Sequence, residues 1–409
     1  MLKAAPFPDD LQLPDGVYIG LSEARYFAQD AIGSSDLAYL WDDDQADGWW
    51  WRSPHNPYYF RKPSDPLDFG SALHAMLLEG REAFEARYHI APDPRDFPEL
   101  LVTQPDLYSA LRAVDAPGVA AKTRKSDLVE LAKVYLPGRH VWDDILQRAE
   151  RKAKGRVVLS AEQAWQLGVM LETAMGDPDM RAFATAEGGV RLTEVSVFWT
   201  LPTGTRLRFR FDSLLPVANG DLKSIDNYRG GDSLGDAIGK SIGSRSLDLQ
   251  AALSFTARRH AYRYIEAGQV FINPNPPEGS GDPLEQAAWL GRFPAEAPLD
   301  LEGKPGWRWL WMFFQKPDNA GRAPTILPVW MEFGSIDHRD GYRKAALGIW
   351  NYERRKAEKG LERPWTAVLK PHHMDGAQAL ADLAIRIPHW TKRPMAVADE
   401  EQELSWRAS

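Results

Sequence analysis

Residues Arg206-Leu207-Arg208-Phe209-Arg210-Phe211-Asp212 alternate charge and apolar bulk without a break. A period of two fits a β-strand and not a helix, because successive strand side chains point to opposite faces. The run places Leu207, Phe209 and Phe211 against a core. Arg206, Arg208, Arg210 and Asp212 share the other face. Ahead of it, Glu194-Val195-Ser196-Val197-Phe198-Trp199 has strand character, and Pro202-Thr203-Gly204 supplies a turn. Behind it, Asn219-Gly220 has the composition of a tight hairpin turn, followed by the short strand Asp221-Leu222-Lys223-Ser224-Ile225.

Helical patterns surround these strands. Ser34-Ser35-Asp36 has the character of a helix start before Leu37 to Trp41. Phe69 to Leu78 carries apolar residues at helical spacing and meets a stop at Gly80. Helices are expected over residues 160–176 and 246–267, and from Ser335 to about Lys359. Two further strands are expected near Trp307–Phe314 and Thr325–Phe333. Residues 271–306, rich in Pro and Gly, suit an exposed loop or insertion. The expected class is α/β, with a central mixed sheet flanked by helices and an N-terminal helical elaboration. The expected division is 1–159, an N-terminal helical part; 160–392, the core; and 393–409, a tail.

Composition narrows the chemistry. The chain has 409 residues and no cysteine, which excludes disulfides, thiolate zinc sites and iron–sulfur clusters. Hydrophobic residues make up 44% and charged residues 26%, enough for a sizeable core. The start has no apolar run of signal-peptide length, and no stretch approaches the roughly 18 apolar residues of a membrane span. A cytoplasmic protein without membrane contact is expected. The net charge of −8 argues against a general nucleic-acid coat, but leaves room for a local basic groove.

The chemistry concentrates at the paired strands. Asp212 ends one strand and Asp221 opens the next, with Lys223 on the face of Asp221. Adjacent carboxylates repel unless a cation sits between them, and an oxygen-lined site suits Mg²⁺ or Mn²⁺. A nearby lysine can position or help deprotonate an attacking water. Acid-x-Lys is weak as a pattern, since Glu150-Arg151-Lys152 and Glu302-Gly303-Lys304 also match. Only Asp221-Leu222-Lys223 follows a strand that ends in Asp. A surface hairpin with an ordinary ion pair is the plainer alternative.

The wider order resembles the PD-(D/E)xK nuclease superfamily, and within it the RecE-like exonuclease (exonuclease VIII) family. The pieces are Gly70-Ser71-Ala72-Leu73-His74, Glu194 on the first core strand, Asp212, Asp221 with Lys223, and a helix opening with Gln250-Ala251-Ala252. The likeness runs through Arg386-Ile387-Pro388-His389-Trp390 and spans roughly residues 30–392. It implies a restriction-endonuclease-like core. Asp212 and Asp221 would bind Mg²⁺, with Mn²⁺ able to substitute, and His74 and Glu194 would complete or support the shell. Lys223 would act on the water, and Gln250 would orient it or hold a phosphate. It further implies processive 5′-to-3′ digestion of linear double-stranded DNA to leave 3′ single strands. A homo-oligomeric ring, a RecT-like single-strand annealing partner and a phage recombination context follow from it.

Two departures stand out. Phe211 replaces the proline before the strand Asp, and Ser254 then Phe255 stand where a Gln-x-x-x-Tyr helix would have its phenol. Plainer readings exist too: a packed core histidine for His74, an exposed strand residue for Glu194, a surface amide for Gln250. Arg206, Arg208, Arg210, Lys240 and Arg245, with Arg258 and Arg259, are candidates for guiding the phosphate backbone, or else a solvated basic face. Trp49–Trp51 and Tyr58-Tyr59-Phe60 could stack on a frayed end, or pack as an N-terminal subdomain. The rival functions are a related repair or defence endonuclease or single-strand nuclease, and a catalytically silent DNA-end-binding protein.

Overall fold

The computed structural model describes residues 4–59, 65–178, 180–181, 192–215, 218–225, 233–277, 282–290, 307–315 and 323–366. Its strands, in chain order, are β1 Ala4–Ala5, β2 Gly16–Ile19, β3 Tyr88–Ile90, β4 Val157–Leu159, β5 Val195–Thr200, β6 Arg206–Phe211, β7 Ser213–Leu214, β8 Ala218–Ile225, β9 Val270–Ile272, β10 Arg308–Gln315 and β11 Thr325–Glu332. They form a five-stranded sheet in the order β1-β9-β2-β5-β6 and a four-stranded sheet in the order β11-β10-β8-β7. A small β3-β4 pair stands apart. Both larger sheets mix parallel and antiparallel neighbours: β8 runs parallel to β10, whereas β5 runs antiparallel to β6. The class is therefore mixed α/β.

The alternating run behaves as its period demands. Leu207, Phe209 and Phe211 are buried in the main core. That core is closed by two long helices, Leu247–Ala267 and Ile336–Lys359. Their crossing is unusually close. A Cβ built on Gly341 would stand 2.2 Å from the carbonyl oxygen of Asp248, so only glycine fits there. The other face of the four-stranded sheet is covered by a second apolar cluster from Phe69–Leu78, Phe84 and helix Ala161–Gly176. Ser160 starts the last of these helices: its Oγ accepts from Gln163 N, and Gln163 Oε1 accepts from Ser160 N.

Several expectations need correction. Asn219-Gly220 is not a turn; it lies inside β8, paired with Ser213 and Leu214 on one side and with Trp309 and Leu310 on the other. Asn219 is buried there, donating to Ser254 Oγ at 3.1 Å and accepting from Arg258 at 2.8 Å. Within 271–306, Phe271 and Ile272 belong to strand β9, with Phe271 buried, and Pro283–Leu290 is a helix with Ala287 and Leu290 in the core. The N-terminal part is not purely helical, since β2 is the middle strand of the five-stranded sheet. Residues 104–153, polar in texture, form three helices. The apolar faces of the first two share a small cluster around Leu107, Leu111 and Leu128.

Trp49 and Trp50 are buried, and Trp50 and Trp51 donate their indole N–H groups to the carbonyls of Leu361 and Trp365. Trp51, Tyr58 and Tyr59 keep exposed faces. Phe60, Arg386 to Trp390 and the 393–409 tail lie outside the described residues. Among the described residues no helix is long and apolar enough to cross a membrane.

Candidate metal centre

Asp212 is the single residue between β6 and β7, the point where the chain leaves one sheet and enters the other. Two registers converge on it. The β5–β6 pairing matches Val195 with Phe211, so the next position sets Glu194 opposite Asp212. The β7–β8 pairing matches Ser213 with Gly220, so its next position sets Asp221 opposite Asp212. Cross-strand neighbours stand about 5 Å apart at Cβ, so three carboxylates are driven into one place by backbone pairing alone. Glu194 also adopts a left-handed backbone at φ 56°, a conformation that costs a non-glycine residue about 1 kcal/mol or more.

Cations stand among the acids. His74, at the end of helix Asp65–His74, places Nε2 at 3.4 Å from Asp212 Oδ2 and 3.6 Å from Glu194 Oε1. The Lys223 ammonium straddles the Asp221 carboxylate. It donates to Oδ1 at 2.8 Å and lies 2.7 Å from Oδ2, without the alignment of a hydrogen bond to the latter. We treat the pair as a charge contact to both oxygens, because three rotating N–H bonds make the ammonium tolerant of direction. Gln250 Nε2 also donates to Asp221 Oδ1, at 3.0 Å. Arg210 reaches Glu194 at 3.3 Å.

The site's electrostatics show the crowding. Burial pushes His74 down, but the charges of Asp212 and Glu194 and a contact with Glu79 hold it well above its usual value. Burial likewise raises Asp212, and His74 and Lys223 overcome it to bring that carboxyl well below the carboxylate range. Asp221 goes the other way. Burial and the neighbouring Asp212 raise it against the pull of Lys223. Glu194 is raised by burial as well. Three protein cations, His74, Lys223 and Arg210, stand among the acids, yet Asp221 and Glu194 are still held above the usual carboxylate range, a deficit of positive charge around the cluster.

That deficit is what a divalent ion fits. One nitrogen of His74 and one carboxylate oxygen each of Glu194 and Asp212 lie within 4.8 Å of one another. The side chains of His74, Glu194 and Asp212 are 19%, 29% and 25% exposed, so the cluster opens to solvent on one side. Asp221 Oδ2, buried and without a hydrogen bond, adjoins it. The donors, one imidazole with carboxylate oxygens, form a set that a divalent ion can bind.

The structure therefore gathers His74, Glu194, Asp212, Asp221, Lys223 and Gln250, drawn from five separate sequence segments. It does not gather the strand arginines into a DNA surface. Arg206 is engaged by Asp15 and the Leu13 carbonyl. Arg208 is buried among the carbonyls of Tyr26, Phe27 and Gln29 and faces Asp36. Arg210 bonds Ser196, Glu194 and the Leu21 carbonyl. All three tie the N-terminal segment to the sheet, so a phosphate-guiding role finds no support in their geometry. Arg258 is also buried, with its guanidinium on the carbonyls of Ala218 and Leu215. Lys240, Arg245 and Arg259 are exposed.

Sequence reasoning missed Glu79. Its Oε1 lies 3.6 Å from His74 Nδ1. The signal was a carboxylate five residues after the histidine, a spacing that an α-helix would place on a different face.

No family model matches the chain, and no curated protein matches it. Among solved structures, the chain is similar to a protein from Eubacterium rectale described as a "putative exonuclease", at 10% identity. That alignment covers 92% of this chain and 96% of the other, with a TM-score of 0.42. The functional reading rests on the site's own geometry.

Proposed function

We propose that this protein is a metal-dependent nuclease that hydrolyses phosphodiester bonds of DNA. The observation that carries the reading is the convergence of Glu194, Asp212 and Asp221 at the seam of two sheets, with Lys223 locked on Asp221. A divalent ion bound there would lower the pKa of a coordinated water and offset charge on the scissile phosphate.

The protein's own groups do the rest. Glu194, Asp212 and His74 present donors from three elements, so the geometry is held by strand pairing and helix packing. Asp221 adds a fourth donor and keeps Lys223 fixed within 2.8 Å. From there the ammonium is placed to orient an attacking water or to donate to a phosphate oxygen. Gln250 donates to the same Asp221 oxygen, Oδ1, as Lys223, so two side chains steady that carboxylate. Exposed Lys240 and Arg245 border the helix before Gln250 and suit contacts to the phosphate backbone.

The finer reading is a RecE-like exonuclease of linear double-stranded DNA, using Mg²⁺ or Mn²⁺. It would run 5′ to 3′ as a ring-shaped homo-oligomer and hand 3′ strands to an annealing protein, in a phage recombination setting. The order of His74, Glu194, Asp212, Asp221, Lys223 and Gln250 along the chain supports it. The test compares linear, nicked and closed circular duplex carrying 5′ or 3′ labels, in Mg²⁺. The expected result is digestion of linear DNA with early release of the 5′ label. Digestion of closed circles would overturn the exonuclease reading while leaving a nuclease.

A further inference from the structure

The helix that delivers His74 does not continue as an α-helix. Residues Ala75–Glu79 form a π-helical turn, which ends at Gly80 with φ 97°. In an α-helix, a residue five positions on points about 140° away around the axis. The wider i→i+5 turn brings it closer to the face of the first, and such turns are rare and frequently found at functional sites. Here the turn brings Glu79 over His74, with Oε1 at 3.6 Å from Nδ1.

Glu79 is costly where it stands. Its side chain is 5% exposed, in a stretch whose Leu77, Leu78 and Phe84 fill the second apolar cluster. A buried carboxylate without a task would be better replaced by an apolar residue. Arg87 compensates it from the following helix, Arg81–Arg87: its Nη1 donates to Oε1 at 2.8 Å, and Nη2 pairs with Oε2. The result is a row of groups running Arg87, Glu79, His74, then Glu194 and Asp212. The two ring nitrogens of His74 face different partners: Nδ1 faces Glu79, and Nε2 faces the acids of the metal centre.

We propose that Glu79, braced by Arg87, is a positioning residue that fixes the ring of His74. It accepts from Nδ1–H and leaves the Nε2 lone pair turned toward the metal centre. A neutral imidazole carries its proton on one nitrogen only, and the partner of the other nitrogen decides which. The inference rests on the metal-centre reading. The simpler role, a structural ion pair that closes the turn, makes a different prediction about His74.

The test is a double-mutant cycle read by Mn²⁺ affinity of the full chain without DNA, measured from the free-ion electron paramagnetic resonance signal. Glu79→Met is expected to weaken Mn²⁺ binding about 10- to 100-fold, the usual cost of removing a carboxylate behind a metal-bound histidine. Glu79→Gln, which keeps an acceptor in the same place, is expected to recover most of that loss. With His74→Ala already present, Glu79→Met should change the affinity by less than about 3-fold, since the residue it positions is gone. Should Glu79→Met fail to fold, Arg87→Met removes the brace from the half-exposed side and should weaken binding only when His74 is present.

An equal loss in both His74 backgrounds, or no loss at all, overturns the proposal while leaving the metal centre standing. Wild-type Mn²⁺ binding that is absent, or indifferent to Asp212→Asn, would overturn the metal centre and this proposal with it.

Discussion

Gly341→Ala sets two effects of opposite sign against each other. In an open helix, replacing glycine by alanine stabilises by about 1 kcal/mol through backbone entropy. At residue 341 the new methyl would stand 2.2 Å from Asp248 O and 2.5 Å from Asp248 C. Both atoms are main chain, so no side chain can swing away. Relief requires the helices Leu247–Ala267 and Ile336–Lys359 to separate by about 1 Å, at the top of the usual 1–3 kcal/mol range for overpacking. The net expectation is a loss of about 2 kcal/mol. Asp248 is two residues from Gln250, so the shift should also loosen the Gln250–Asp221 bond and weaken Mn²⁺ binding. Urea denaturation reads the first effect as a lower midpoint at unchanged slope. A midpoint equal to or above that of the wild type would refute the reasoning, because propensity alone would then have decided the outcome.

Arg258→Met should destabilise by about 3 kcal/mol, because it leaves Asn219 Oδ1 buried without its donor and takes the guanidinium from the carbonyls of Ala218 and Leu215; urea denaturation checks it, and a loss under about 1 kcal/mol would contradict the buried geometry. His338 is buried, and that burial, with the charges of Arg259 and Arg339, lowers its pKa to about 4. The unfolded chain therefore binds this proton first. Stability from His338 is complete above about pH 6.5, falls by about 3 kcal/mol as pH drops toward 4, and then levels. In His338→Gln the denaturation midpoint should vary less over that window; an unchanged pH dependence would count against the assignment. Lys240→Gln and Arg245→Gln should each lower the salt slope of DNA binding by about 1, measured by fluorescence anisotropy across salt concentrations; unchanged slopes would place the DNA elsewhere.

What was legible in the sequence was whatever a short range of chain determines. The period-two run at 206–212 specified its strand and faces, and Ser246 and Ser335 marked the starts of the two long helices. Asn219-Gly220 misled because a local turn preference lost to β8 pairing on both sides, with Asn219 spending its amide on Ser254 and Arg258. Strands β2 and β9, of four and three residues, become strands only through each other and through β5 and β1, which no local window contains. Charge on an alternating strand marked Arg206, Arg208 and Arg210 as either a phosphate-guiding face or a solvated one. The N-terminal segment folds over that face and supplies carbonyls to all three, and carboxylates to Arg206 and Arg208. At the site, residue order picked out each member of the cluster, but their meeting depends on two registers that share Asp212. Glu79 stayed hidden because the apolar spacing of residues 69–78 reads as an unbroken α-helix, which would turn it away from His74.

The most direct test of the central claim is hydrolysis of linear duplex DNA in Mg²⁺ or Mn²⁺ by the wild type, Asp212→Asn and Lys223→Met, with EDTA as a control. The account predicts ion-dependent cleavage by the wild type. It also predicts a loss of about 10³-fold or more in each variant, comparable to removing a key charge-stabilising group from other active sites. Cleavage that persists in Asp212→Asn, or a wild type that cuts nothing in the presence of either ion, would contradict it.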